Sequence, residues 1–171
     1  MSMQLKANEL IIRAPLWVHD SQIRDFIEKN KSWIEKQEEK QRRQEAERQP
    51  CPVLTRDELR DLADRAAAYI PERVRYFAPL VGVSYGRITI RNQKTRWGSC
   101  SQKGNLNFNC LLMLTPAEVI DSVVVHELCH RIEMNHSPRF YREVRRVMPD
   151  YDRWNSWLKK NGSAILRRMT G

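Results

Sequence analysis

The run Val123-Val124-Val125-His126-Glu127-Leu128-Cys129-His130 restricts this chain more than any other stretch. On an α-helix, residues four apart stand one above the other, about 6 Å along the axis, so the imidazoles of His126 and His130 can converge on one ion. Glu127 is turned about 100° from His126, so it flanks the ion instead of competing for it. From there it can take a proton from a water that the ion activates, the division of labour a metalloprotease needs. The same string also arises by chance on amphipathic helices. The histidines argue against that here, because the chain has four and three of them, His126, His130 and His136, lie between positions 126 and 136. Imidazole suits a borderline ion such as zinc.

The helix that carries this string should be central, since Val119, Ile120, Val123, Val124 and Leu128 cover most of its circumference. Thr115-Pro116-Ala117-Glu118 has the pattern of a capping box that would launch it, and Asn135 offers a stop. A chain of 171 residues can build one catalytic domain and a small appendage. The expected organisation is an N-terminal strand and exposed charged helix over 1–50, followed by the catalytic domain over 51–171.

Within 1–50, Glu9 to Pro15 reads as an edge strand or the second arm of a hairpin. Asp20 or Ser21 then caps a helix with Ile23, Phe26, Ile27, Trp33 and Ile34 inward, and residues 36–50 continue it as a solvated extension into a linker. Pro50-Cys51-Pro52 breaks it. Thr55 to Glu58 is a capping box for a helix with Leu59, Leu62, Ala66 and Ile70 inside, which Pro71 should kink or interrupt.

Val83 to Arg91 and Asn105 to Leu111 alternate as strands, with Gly104 at the turn before the second, and an antiparallel pair joined by a basic loop is expected. Ser137-Pro138 opens a helix that ends at Pro149-Asp150. A last helix over about 150–160 runs to a cap at Asn161-Gly162, and the basic tail beyond it should fray.

The net charge of +9 divides as +1 over 1–50, +5 over 51–115 and +3 over 116–171. It favours acidic partners but forms no basic stripe with interleaved aromatics. Cys51, Cys100, Cys110 and Cys129 show no Cys-x-x-Cys spacing, which argues against a zinc ribbon or a disulfide framework. The N-terminus lacks the apolar region of a secretory signal and no apolar run is long enough to span a bilayer, so a cytoplasmic location without membrane contact is expected.

Zinc in a catalytic site takes three protein ligands and keeps one place for water. Glu133 is seven residues from His126, roughly 10 Å along the helix, which is too far to join a tetrahedron of ~2 Å bonds. The third ligand is therefore expected from beyond the helix, with His136, after the stop at Asn135, favoured over its rival Glu143 on the next helix.

Thr95-Arg96-Trp97-Gly98-Ser99-Cys100-Ser101, Gly104-Asn105-Leu106, the His126 to His130 string and Met134-Asn135-His136-Ser137-Pro138-Arg139-Phe140 together resemble the YgjP-like family of metal-dependent hydrolases, which is similar to the SprT-like and WLM metallopeptidases. The resemblance runs over nearly the whole chain. It implies an α+β, zincin-like domain, with a small antiparallel sheet, a central helix bearing the histidine string and flanking helices. It also implies that His126, His130 and His136 bind zinc and that Glu127 is the base.

Peptide or protein would be the substrate, and contact with DNA or nucleoprotein is a further expectation because some SprT-like and WLM proteases act on protein bound to DNA. Two other readings stay open: a zinc-organised binding module on nucleoprotein, and hydrolysis of a non-peptide amide. A substrate strand is expected to add to an exposed edge at Asn105, Asn107 and Asn109. Arg96 and Tyr141 are candidates for stabilising the oxyanion, although a tight turn with a buried tryptophan is the simpler account of Arg96 to Cys100. Cys100 and Cys129 could each lie near the ion. Oligomeric state is not legible in the sequence.

Overall fold

In a computed structural model of the protein, which describes residues 1–6, 9–46 and 52–169, the chain divides into two units, Met1–Pro50 and Cys51–Gly171. The expected linker after residue 46, most of the Pro50-Cys51-Pro52 break and the last two residues of the tail lie outside the described residues.

In the first unit, β1 (Ser2–Lys6) and β2 (Glu9–Arg13) form an antiparallel hairpin with Met3 opposite Ile12, so the Glu9 run is a second arm. The single helix expected next is two. The cap of α1 (Asp20–Lys29) is His19, whose N–H donates to the Gln22 side chain at 3.1 Å. The helix then stops at Asn30, whose side-chain amide donates to the Phe26 carbonyl at 2.7 Å, before α2 (Lys31–Ala46). An asparagine side chain that bonds locally to the backbone offers it an alternative to continued helix.

In the second unit, α3 (Arg56–Val81) starts at the Thr55 capping box, where the Glu58 N–H donates to the Thr55 hydroxyl at 3.2 Å and the Thr55 N–H to the Glu58 carboxylate at 2.8 Å. Pro71 does not interrupt it. An internal proline costs about 3 kcal/mol, whereas α3 buries Leu62, Ile70, Val74, Phe77 and Val81, each contributing about 1.5–3 kcal/mol. The helix ends on Gly82, which takes a left-handed φ of 83°.

The sheet corrects the expected antiparallel pair. Strand β3 (Ile88–Arg91) runs parallel to β5 (Leu106–Asn109), and β4 (Gly98–Cys100) pairs antiparallel with β5, giving the order β3-β5-β4. The chain reverses twice, once through 92–97 and once at the Gly104 turn, so β3 and β5 point the same way. Three residues, Gly-Ser-Cys, carry no alternation from which β4 could be read. The expected strand over Asn105 to Leu111 is also shorter, because Cys110–Leu114 is a 3₁₀ turn.

Helix α4 (Ala117–Cys129) is buried nearly all round and packs against α3, α5 (Pro138–Val147), α6 (Tyr151–Arg167) and β4. Its expected capping box does not form, because the Thr115 hydroxyl donates to the Leu112 carbonyl at 2.7 Å and Pro116 holds the cap position. It also stops at Cys129, short of Asn135, and residues 131–136 form turns. Ser137 caps α5 by accepting from the Phe140 N–H at 3.3 Å. Gly162 does not cap α6; it lies inside the helix, where a Cβ would sit 3.0 Å from the Trp97 ring, so it is the contact that lets the indole lie against the backbone. The α+β class is borne out. Among the described residues no helix is long and apolar enough to cross a membrane.

Candidate metal centre and catalytic cleft

The last turn of α4 presents His126 and Glu127, His130 caps its C-terminus, and the chain beyond returns so that His136 faces the same point. Among the described residues these three histidines form the group that could hold a metal ion, with candidate ligand atoms all within 4.8 Å of one another. The Nε2 atoms of His126 and His136 are 2.9 Å apart. A tetrahedral ion with bonds of ~2.0–2.1 Å spaces its ligands by about 3.3 Å, so the donor set fits with small adjustment.

Their other nitrogens are anchored. The His130 Nδ1–H donates to the Glu133 carbonyl at 3.1 Å, since a carbonyl can only accept, and His126 Nδ1 lies 2.9 Å from the Tyr151 hydroxyl. Anchoring at Nδ1 leaves Nε2 as the inward atom. Phe140, wholly buried, has its ring centre 4.8, 4.6 and 5.0 Å from those of His126, His130 and His136. Burial, then the proximity of His130 and His136, lowers the pKa of His126 from 6.5 to about 3. Burial lowers that of His130 too. Both rings are therefore neutral at physiological pH, the form that binds a metal.

Glu127 is 5% exposed, and its Oε2 is the buried side-chain oxygen or nitrogen left without a hydrogen-bond partner among the described residues. Burial raises its pKa from 4.5 to about 8, against the opposing charge of Arg96. The carboxylate is seated against β4: a Cβ on Gly98 would fall 2.6 Å from Glu127 Oε1. Glycine at 98 is therefore what makes room for the carboxylate.

Two hollows meet here. One, of about 250 Å³, lies between Trp97, Val123 and Leu158; the other, of about 300 Å³, lies beside Ser99, His130 and His136. Arg96, Gly98, His126 and Glu127 line both, so Glu127 sits where the two join.

Other expected site residues divide. Arg96 is exposed at the join of the hollows. Tyr141 packs beside His136, ring centres 6.2 Å apart, and lines neither hollow. The substrate edge at Asn105, Asn107 and Asn109 is corrected, because β5 is the middle strand and these three asparagines, Asn105 just before it, are engaged internally. Asn105 accepts from the Arg87 N–H, Asn107 donates to the Ser99 hydroxyl, and Asn109 donates to the Gln93 and Arg96 carbonyls at 2.7 and 2.9 Å. Asn109 thus shapes the loop that carries Arg96.

The rival Glu143 pairs with Arg146 at 2.9 Å and does not join the histidines. Cys100 lines the second hollow and Cys129 is fully buried with its thiol pushed up to about 12, chiefly by burial. Neither joins the ligand cluster. Sequence reasoning missed Tyr151 and Gly98 as site residues. A tyrosine buried in the first turn of a helix must find a polar partner, but only the packing of α6 on α4 says which.

The YgjP-like metallopeptidase domain matches the chain over residues 1–58 and 53–161. Two solved structures are similar over part of it. The metallopeptidase zymogen abylysin of Pyrococcus abyssi is 21% identical with a TM-score of 0.48, covering 53% of this chain and 93% of that one. The zymogen jannalysin of Methanocaldococcus jannaschii is 21% identical with a TM-score of 0.47, covering 53% of this chain and 94% of that one. No curated protein matches.

Proposed function

Because the chain belongs to the YgjP-like metallopeptidase family and is a metal-dependent hydrolase, we propose that it cleaves peptide bonds with one zinc ion held by His126, His130 and His136, and with Glu127 as general base. A single observation carries this reading: a buried carboxylate with one unpartnered oxygen stands beside three convergent imidazoles. Buried polar atoms are nearly always satisfied, so one left open beside three convergent imidazoles points to a partner at the ion, the attacking water. Three nitrogen donors suit zinc.

When bound, zinc would polarise the scissile carbonyl and lower the pKa of the attacking water. Glu127 takes the proton from that water and returns it to the leaving amine, so one carboxylate serves first as base and then as acid. Arg96 offers a cation for the charge that develops on the carbonyl oxygen, and Tyr141 a neutral donor beside His136. Tyr151 and the Glu133 carbonyl orient His126 and His130.

The substrate strand is assigned to β4 instead of β5. The Asn109 N–H donates to the Trp97 carbonyl and the Ser101 N–H to the Asn105 carbonyl, with Ser99 opposite Asn107 between them. In an antiparallel ladder the bonded positions alternate, so the backbone groups of Gly98 and Cys100 face away from β5. An extended peptide can pair there, directly over Glu127.

A binding module would need a closed site with a fourth protein donor, and neither Cys100 nor Cys129 supplies one. The test is hydrolysis of a proteome-derived peptide library by zinc-loaded protein, with and without single-stranded DNA. Cleavage should disappear on chelation, return with zinc, and be absent in Glu127→Gln at matched zinc content. Metal analysis should show zinc lost from His136→Ala and kept by Glu143→Ala; the reverse would overturn the ligand assignment. An intact parent that binds DNA tightly but cleaves nothing would favour the binding module.

A further inference from the structure

Of the three histidines, His126 alone lines the hollow of about 250 Å³ beside Glu127. Its walls are mainly apolar: Trp97 from the loop before β4, Val123 from α4 and Leu158 from α6. The polar groups among them are largely spent or neutral. The Ser122 hydroxyl already donates to the Val119 carbonyl at 2.8 Å, and Asn155 carries no charge. The one carboxylate in the lining is Glu127, and the cation at its edge is Arg96.

Size and charge together define what fits. An apolar cavity of roughly 150 Å³ accommodates a benzene ring, so this hollow has room for an aromatic side chain. A lysine or arginine would enter with no carboxylate to pair except the base itself, facing the like charge of Arg96, and an unpaired charge in an apolar site is strongly disfavoured. Glu127 and His126 form one wall, so the side chain that enters belongs to a residue directly flanking the scissile bond.

We propose that this hollow is the specificity pocket, that it takes a large apolar and preferentially aromatic side chain next to the bond cleaved, and that Val123 and Leu158 set its size. The proposal rests on the peptidase reading above for its place in catalysis, but the pocket itself can be tested by binding.

Blocked alanine hexapeptides that carry one varied residue, Phe, Trp, Leu, Gly or Lys, can slide until that residue finds the pocket. Their affinities are measured by calorimetry for full-length, zinc-loaded Glu127→Gln. The phenylalanine peptide should bind about 10- to 100-fold more tightly than the glycine peptide, the range expected for filling an apolar pocket, and the lysine peptide no more tightly than glycine. In the same background Val123→Phe, which fills the hollow, should remove most of that preference. Leu158→Ala, which widens it, should move the optimum towards tryptophan and keeps the test open if Val123→Phe does not fold. Equal binding of all peptides, tightest binding of lysine, or a preference untouched by both substitutions in folded protein overturns the pocket. Cleavage of the phenylalanine peptide by the unsubstituted protein is scored separately: selective binding without cleavage overturns the peptidase reading and leaves the pocket standing.

Discussion

Two of the three carboxylates on helix α4, Asp121 and Glu127, six residues apart, are in opposite states. Asp121, 15% exposed at its side chain, receives both arms of Arg73, at 2.7 and 2.8 Å. Glu127 is still more buried, and one of its oxygens has no partner. The first pair ties α4 to α3 and raises the already high pKa of Arg73, chiefly through its hydrogen bond to Asp121. The second carboxylate is desolvated by more than the charge of Arg96 offsets, and its pKa rises to about 8. A satisfied acid holds the fold, whereas an acid kept short of partners in a cleft is poised to move protons.

The sharpest way to break this contrast is Glu127→Gln, which should reduce hydrolysis by about 10² to 10⁴, the usual cost of removing a general base, while zinc content and fold persist. A variant that cleaves at the parental rate would end the assignment of Glu127. Gly98→Ala attacks the same carboxylate from β4. Its Cβ would stand 2.6 Å from Glu127 Oε1, and a displacement of about 1 Å at a reacting group can cost 10²-fold in rate. We expect such a fall in kcat at full zinc occupancy, and unchanged kcat would show that the carboxylate has slack.

Tyr151→Phe removes only the hydroxyl that faces His126. Loss of such an orienting partner should weaken zinc affinity about 10- to 100-fold, measured by competition with a chromogenic chelator; an unaltered affinity would make Tyr151 a wall residue only. On the other side of the comparison, Asp121→Asn should leave kcat intact and lower stability by about 1–3 kcal/mol, as expected when a charged hydrogen-bonded pair is broken. Urea unfolding checks it, and a rate loss without a stability loss would reverse the roles drawn for the two acids.

The smallest effect is on the pH dependence of the zinc-free protein. Glu127 is raised from 4.5 to about 8, so its folded form keeps a proton that the unfolded chain releases, and stability falls as pH rises from 4.5 through 8. His126 is lowered from 6.5 to about 3, so stability falls as pH drops below 6.5. With His130 lowered as well, the melting temperature should therefore be highest near 6.5 and decline on both sides, and in Glu127→Gln the decline above 6.5 should vanish. A parent and variant with parallel curves would contradict the buried, unpaired state of Glu127.

Much of this was readable before any coordinates. The four-residue spacing of His126 and His130, the flanking position of Glu127 and the valine-rich circumference of α4 depend only on helix geometry. Capping at Thr55 and Ser137 is likewise local chemistry. In each case the cause lies within a few residues of the effect, so periodicity and turn chemistry suffice.

What the tertiary structure decided is non-local. The parallel partnership of β3 and β5 depends on a three-residue strand between two reversals. It turned Asn105, Asn107 and Asn109 from an expected substrate edge into internal fastenings. Pro71 stays helical because burial along α3 outweighs a lost hydrogen bond, a balance no local rule contains. Gly162 reads as a cap until Trp97, sixty-five residues earlier, occupies the space its side chain would need, and Gly98 reads as a turn until Glu127 does the same. The identity of the ionisable groups is written in the chain, but their protonation depends on which atoms exclude water from them, and those atoms arrive from α6, β4 and the turn at His136 only when the chain has folded.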